Sequence, residues 1–361
     1  MKQETIMRCG DSKEVLKELK DNSVDMLCSD PPYGYSFMSG SIKWDKVLPD
    51  TQIWRECYRV LKPGSFITVM AAPRTDVLWR ISRDLEEAGF DLSFSNIEWV
   101  YHSGFPKASD VGKMIDKRKG AEREVVSQET TSYKVSNTKD NNVINEGTFA
   151  ENFSKDIDEN GYRITNITAP ATDLSKKYDG AKAGFQPKPS REIIIVGMKP
   201  FVEGSYIDHV LNFEALPDNI KMTYPLIQTP KPAKKEKDFG LSGEEKPATN
   251  QYKNSKVSYQ ANGTATSSEL LPRKNNHPTV KPIKLMSYLI TLFTRPGDWI
   301  LDPFGGSGTT GLACKLLDRN HIYIDFTQEY YDIAEERFNV SKQDLKKLLK
   351  EKISNGQQEL F

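Results

Sequence analysis

Apolar positions along the chain change period repeatedly, and each change marks an element. Val15, Leu16 and Leu19 form one edge of a short helix, with Asp11 or Ser12 placed to cap it. Residues 24–29 are a short apolar run that stops at Asp30-Pro31-Pro32, the pattern of a buried strand. Ile53, Trp54, Cys57, Tyr58 and Leu61 return at helical spacing after Asp50-Thr51, and Lys62-Pro63-Gly64 is expected to end that helix. Residues 66–70 read as a strand, 77–88 as a helix ending at Gly89, 92–101 as a strand, and 192–196 as a strongly β-branched strand. Further on, 283–293, 309–317 and 328–338 are helices, with strands at 299–301 and 321–324 between them; a charged helix follows at 341–352. Strands alternating with helices imply a largely parallel sheet covered on both faces. Ligands of such sheets sit beyond the carboxyl ends of the strands.

Two polar stretches, 127–189 and 228–276, interrupt this alternation. Neither has sustained periodicity, so both are expected to be loop-rich insertions. The length of 361 residues suits about two domains. Fifty basic and fifty acidic side chains cancel, which by itself gives nucleic acid no support. Their distribution does: residues 1–112 carry −3, residues 113–296 carry +6 and residues 297–361 carry −3, with +7 in 221–284 alone. Basic segments lie at 113–123, 231–237 and 253–256, with Arg273-Lys274 following. Mean hydropathy is −0.59, and no apolar run approaches the ~20 residues of a membrane helix. Cys9, Cys28, Cys57 and Cys314 include no CxxC pair, which argues against a disulfide scaffold or zinc ribbon and fits a reducing cytosol. The four histidines show no metal-ligand spacing, so no metal is expected, and the expected location is the cytoplasm.

Two motifs fall at strand ends. Asp302-Pro303-Phe304-Gly305-Gly306-Ser307-Gly308 joins a strand to a helix, as where a backbone closely approaches a nucleotide-like cofactor. It lacks the Gly-Lys-Ser/Thr ending of a phosphate-binding loop and the GxGxxG spacing of a dinucleotide fold. Asp325, closing the next strand, could accept both hydroxyls of a ribose. A tight turn without a ligand is the plainer alternative. Ser29-Asp30-Pro31-Pro32-Tyr33 is held extended by its prolines and displays Asp30, the Pro31 carbonyl and the Tyr33 ring. Two acceptors beside an aromatic face suit a planar exocyclic amine; a proline-rich turn with a capping Asp is the alternative.

Together, Asp30-Pro31-Pro32-Tyr33 and the Asp302–Gly308 turn resemble the S-adenosylmethionine-dependent amino-methyltransferases of DNA. The order of the motifs is similar to their β group, a circular permutation of the methyltransferase fold. Asp11, the segment His277-Pro278-Thr279-Val280-Lys281-Pro282 and Ile324-Asp325 with Glu329-Tyr330 extend the likeness. Trp44-Asp45 and Ser103-Gly104-Phe105-Pro106-Lys107 resemble one bacterial and phage branch.

The resemblance implies an α/β, Rossmann-like methyltransferase fold with a mostly parallel seven-stranded sheet. Its expected divisions are a catalytic half at 1–119, a polar insertion at 120–189 and a returning strand at 190–200. A target-recognition region at 201–276, a cofactor-binding half at 277–340 and a C-terminal helix and tail at 341–361 complete them. The implied catalytic residues are Asp30, Pro31, Pro32 and Tyr33, with Tyr35 and Phe37 lining the pocket or packing the core. Implied cofactor contacts are Asp11 to adenine, Asp302 to the methionine ammonium, Asp325 to the ribose, and Phe304, Gly305, Gly306, Gly308 and Thr309 along the loop. Read without the resemblance, Asp11 and Thr309 can equally be helix caps. Lys281 would meet a phosphate or the cofactor carboxylate, or stay solvated. Lys231, Lys234, Lys235, Lys253, Arg273 and Lys274 would contact DNA, with Tyr252 and Tyr259 interleaved.

The implied function is site-specific methylation of the N6 amine of a flipped-out adenine in duplex DNA, within a restriction-modification setting. Asp at the first tetrapeptide position accompanies adenine in the family, and Ser accompanies N4-cytosine. N4-cytosine methylation, an RNA substrate and a catalytically silent DNA-binding regulator are the alternatives. A homodimer is compatible with this reading. Gln357-Gln358-Glu359-Leu360-Phe361 resembles the peptide that docks proteins on the bacterial sliding clamp; a tail packed on the body is its alternative.

Overall fold

A computed structural model describes residues 3–34, 47–101, 110–134, 162–183, 190–202, 204–213, 225–243, 258–259, 265–266 and 274–353. The chain forms two compact units, one of residues 1–101, 191–252 and 272–361, the other of 102–190 and 253–271. Most of residues 201–276 belongs to the larger unit.

The larger unit begins with β1 (Thr5–Cys9), α1 (Ser12–Val15), β2 (Val24–Ser29), α2 (Thr51–Val60), β3 (Leu61–Ala71), α3 (Thr75–Glu87) and β4 (Ile97–Val100). The smaller unit takes α4 (Val111–Lys119), β5 (Val125–Lys134), β6 (Tyr162–Thr168) and α5 (Asp173–Lys177). The larger resumes with β7 (Arg191–Met198), α6 (Tyr206–Phe213), β8 (Leu226–Gln228) and α7 (Lys234–Lys237). After β9 (Ser258–Tyr259) and β10 (Ala265–Thr266) of the smaller unit, the larger finishes with α8 (Ile283–Phe293), β11 (Trp299–Asp302), α9 (Thr309–Leu317), β12 (Asn320–Asp325), α10 (Gln328–Phe338) and α11 (Lys342–Ile353).

Its sheet has eight strands, ordered β1-β12-β11-β2-β3-β7-β4-β8, one more than the resemblance implies. The apolar pattern leaves two of them unread: β1, half exposed at one edge, and β8, three residues paired parallel to β4 at the other edge and too short to leave a periodic signal. Only β7 runs against its neighbours. Strand residues alternate between two cores, which is why the strands read as unbroken apolar runs. Leu27, Ile67, Val69 and Ile195 face Ile53, Trp54 and Cys57 of α2 and Val77, Ile81 and Leu85 of α3. Met26, Cys28, Met70, Ile194 and Val196 face Leu285, Met286, Leu289 and Ile290 of α8.

Local chemistry sets the ends. Asp11 caps α1 and Asp50 caps α2, each accepting a backbone N–H at 2.9 Å. Lys62-Pro63-Gly64 does not close a helix. It belongs to β3, where the register with β2 shifts and Gly64 takes φ +79°. The strand expected over 92–101 shortens to β4.

In the smaller unit β5 and β6 pair antiparallel. Asp116 of α4 is fully buried and accepts from the Arg123 guanidinium, the Ala171 and Thr172 N–H groups and the Thr172 hydroxyl. Burial opposes its ionisation, yet these donors hold the carboxyl well below the usual range. Arg123, counted above in a basic segment, is thereby a structural ion-pair partner. No helix among the described residues is long and apolar enough to cross a membrane.

His321 of β12 is fully buried against the rings of Tyr323 and Phe338, with neither ring nitrogen hydrogen-bonded. Burial pushes its pKa down to about 3. Folded below unfolded means stability is present above pH 6.5 and lost as pH falls toward 3, at up to ~1.4 kcal/mol per pH unit. Urea unfolding of His321→Leu between pH 7 and 4.5 is expected to lack this component; equal slopes in variant and parent would contradict a neutral buried imidazole.

Candidate active site

The strand order reverses between β11 and β2, so the chain departs in opposite directions from two adjacent carboxyl ends. The two motifs, 272 residues apart in sequence, meet there. The Ser29 hydroxyl, fully buried at the end of β2, donates to Asp302 Oδ1 at 2.7 Å. One cavity opens above this bond, lined by Asp30 to Tyr33, Asp302 to Ser307, His277, Lys281, Asp325, Phe326 and Tyr330.

On the side of the glycine-rich loop, Asp302 is 3% exposed and also accepts from the Thr310 hydroxyl at 2.5 Å and the Phe304 N–H at 3.2 Å. Burial pushes its pKa up to about 6, because three neutral donors do not replace the lost hydration. Asp325 ends β12, accepts from the Gly306 N–H at 2.9 Å and the Thr327 N–H at 2.8 Å, and is likewise raised by burial. The loop glycines answer to the protein's own packing. A Cβ on Gly305 would fall 2.2 Å from the Tyr323 ring, and one on Gly306, at φ +49°, 2.7 Å from His277 Nε2. Gly308 is the N-cap of α9, at φ +79°, with Phe338 in the space of a Cβ. Thr309 is therefore not the cap; it is buried and lines the cavity. Phe304 also lines the cavity, its ring 5.7 Å from Trp54.

Asp11 does not line the cavity. It is exposed and caps α1, while the adjacent Gly10 N–H donates to the Asp325 carbonyl at 2.9 Å and Ser12 Oγ to the Pro303 carbonyl at 2.5 Å. The start of α1 is thus pinned to the carboxyl ends of β11 and β12.

At the tetrapeptide, both Asp30 oxygens have donors. Tyr33 Oη donates to Oδ1 at 2.6 Å, and Lys281 Nζ reaches Oδ2 at 2.5 Å. Lys281 is not solvated: it is 7% exposed and lies 3.3 Å from Glu192 Oε2, to which Tyr33 Oη also extends at 3.2 Å. Burial and the Glu192 charge raise the Asp30 pKa, while the Lys281 charge opposes them. Burial alone would lower Lys281, but the two carboxylates hold it above its ordinary value.

Several of these residues are silent in the sequence. Glu192 faces this site because β7 is antiparallel: its first residues lie beside the last residues of β3 and β4, with Ile193 opposite Ala71 and Glu192 opposite Trp99. A lone carboxylate opening an otherwise apolar strand is its one sequence signal. Glu236 of α7 is buried and accepts from the Ile283 N–H at 2.7 Å, capping α8 just after Lys281. Arg337, fully buried on α10, donates to the Ser307 carbonyl at 2.5 Å and the Glu236 carbonyl at 3.3 Å. It ties the glycine-rich loop to α7.

Of the residues assigned to DNA, Lys231 keeps its ammonium 4.2 Å from the Tyr101 ring centroid, and Lys234 and Lys235 sit on α7. Lys274 donates to the Leu241 carbonyl at 3.0 Å. Tyr35, Phe37, Trp44, Asp45, residues 103–107, Tyr252, Lys253, Lys256, Arg273 and the 357–361 tail lie outside the described residues, as does the side chain of Tyr259.

A family model of N6/N4 type, described as "DNA methylase", matches residues 24–336. Type II methyltransferase M2.MboI of Moraxella bovis is 45% identical over 80 residues, covering 22% of this chain and 29% of its own length. Type II methyltransferase M.HpaI of Haemophilus parainfluenzae is 23% identical over 338 residues, 92% of this chain and 73% of its own. Against the solved structure of the PvuII DNA methyltransferase (cytosine-N4-specific) the TM-score is 0.47 at 18% identity, covering 99% of this chain and 95% of that one.

Proposed function

The chain belongs to the N6/N4 DNA methylase family, and on that premise we propose that it is a site-specific DNA methyltransferase acting on the N6 amine of a flipped-out adenine, with S-adenosylmethionine as methyl donor. The observation that carries this reading is the convergence of the Asp30 and Asp302 strand ends, joined through Ser29, on one cavity.

The donor set fits S-adenosylmethionine. Asp302 is buried with neutral partners and resists ionisation, so a ligand ammonium is the partner it lacks. Asp325 lines the same cavity at the end of β12, where its carboxylate is placed to accept from ribose hydroxyls. Phe304 and the 59%-exposed Phe326 offer apolar faces along the cavity. When bound, S-adenosylmethionine supplies a methyl group made electrophilic by its sulfonium. The protein's part is positioning and electrostatics. Asp30 and the Pro31 carbonyl accept the two hydrogens of the adenine amine, which turns the nitrogen lone pair outward. Tyr33 offers its ring to the extruded base, which cannot be reached inside a duplex.

Lys231, Lys234 and Lys235, on and beside α7, supply phosphate contacts in this reading. Binding to unmodified plasmid DNA is then expected to weaken steeply with salt, about tenfold or more between 50 and 200 mM, measured by filter binding or anisotropy. A flat salt response would remove the basic centre from the interface.

Sequencing that detects modified bases, run on DNA from cells expressing the protein, tests the whole reading. N6-methyladenine in a fixed sequence context is the expected outcome. N4-methylcytosine would correct the base, and unmodified DNA would overturn the function.

A further inference from the structure

Resting on that reading, we infer that Glu192 is a positioning residue that takes over the Lys281 ammonium when the target amine arrives at Asp30. Lys281 Nζ stands 2.5 Å from Asp30 Oδ2 and 5.7 Å from the centroid of the Tyr33 ring. That is the space a base needs if it is to stack on Tyr33 and donate to Asp30. A nitrogen donor of the protein thus occupies the place of the substrate's nitrogen donor.

The ammonium has to yield this place, and it cannot do so alone in a buried pocket. Lys281 is 7% exposed, and an unpaired buried ammonium costs several kcal/mol. Glu192 Oε2 is already 3.3 Å away, so a small swing carries the ammonium from one carboxylate to the other. Tyr33 Oη makes the same choice, 2.6 Å from Asp30 and 3.2 Å from Glu192. Both donors on Asp30 therefore have a second acceptor on Glu192. The antiparallel course of β7 puts that acceptor there, and nothing else in the pairing of β3 and β4 requires a carboxylate.

The consequence is specific. In Glu192→Gln the ammonium keeps only Asp30 as an anionic partner, so the incoming amine must break an ion pair with no replacement for it. Methyl transfer from tritiated S-adenosylmethionine to unmodified plasmid DNA, in single turnover with both substrates saturating, is expected to slow tenfold or more. Cofactor affinity by calorimetry should stay within twofold, which also reports an intact fold. Lys281→Met in the Glu192→Gln background removes the competing ammonium, and the double variant is expected to be at least threefold faster than Glu192→Gln. A residue that merely supports the fold would not be rescued this way.

Glu192→Gln turning over at the wild-type rate, or a double variant slower than Glu192→Gln, overturns the role of Glu192 and leaves the methyltransferase reading standing. A wild-type protein that labels no DNA overturns that reading, and this proposal with it.

Discussion

Replacing Asp30 with alanine is expected to lower methyl transfer to DNA by at least ~10²–10³-fold, the range seen when one preorganised polar contact to a reacting group is removed. The reason is positional. Asp30 immediately follows a strand buried on both faces, and Pro31 and Pro32 come next, so no neighbouring side chain can move into its place. Folding should survive. In Asp30→Ala the Lys281 ammonium still has Glu192 3.3 Å away, so the truncation strands no buried charge. Cofactor affinity is expected to hold within about twofold, since Asp302 and Asp325 are untouched. Turnover above a tenth of the parent's rate, with normal melting, would remove Asp30 from the chemistry.

Asp302→Asn is the complementary experiment, and it should act on binding rather than on transfer. Losing one partner of a buried charge pair costs roughly 2–5 kcal/mol, so the Kd for S-adenosylmethionine is expected to rise about 30-fold or more. The pH dependence distinguishes this from a packing defect. With the Asp302 pKa at about 6, the cofactor meets an ionised carboxylate above that pH and a neutral one below it. Affinity should fall below pH 6, and Asp302→Asn should take up one proton fewer in that range. The stability change has the opposite sign. A carboxyl whose pKa is raised by folding contributes stability at low pH that is lost as pH rises from 3.8 through 6. Without that ionisation, Asp302→Asn is expected to melt higher than the parent at pH 8, with little difference near pH 4. Calorimetric titration and thermal melts across pH 4–8 check both. Unchanged affinity would take the cofactor ammonium away from Asp302.

Elements with a strong period were legible from the chain alone. Helices α8, α9 and α10 stand where their apolar faces place them, and β2 ends at the prolines that terminate it. Short or weakly patterned pieces were not. Strand β8 has three residues, β1 is a half-exposed edge strand, and the paired β5 and β6 lie in or beside a stretch without period. At the site, Asp30 and Asp302 could be read because proline and glycine punctuate their strand ends. Glu192, Glu236, Arg337, Ser29 and Thr310 could not, since each acts through a partner distant in sequence or hidden within an element.

The sequence by itself determined that strands alternate with helices, that Asp30 and Asp302 stand where two strands give way to proline- and glycine-marked turns, and that basic charge collects in the middle of the chain. These are local properties, set by side-chain period, by the fixed φ of proline and by composition. Only the tertiary structure decided that Lys281 pairs with Asp30 instead of facing water, that the loop glycines make room for Tyr323, His277 and Phe338, and that Glu192 stands beside Asp30. The physical reason is burial: once desolvated, each polar group must find a partner, and strand order and direction choose which one.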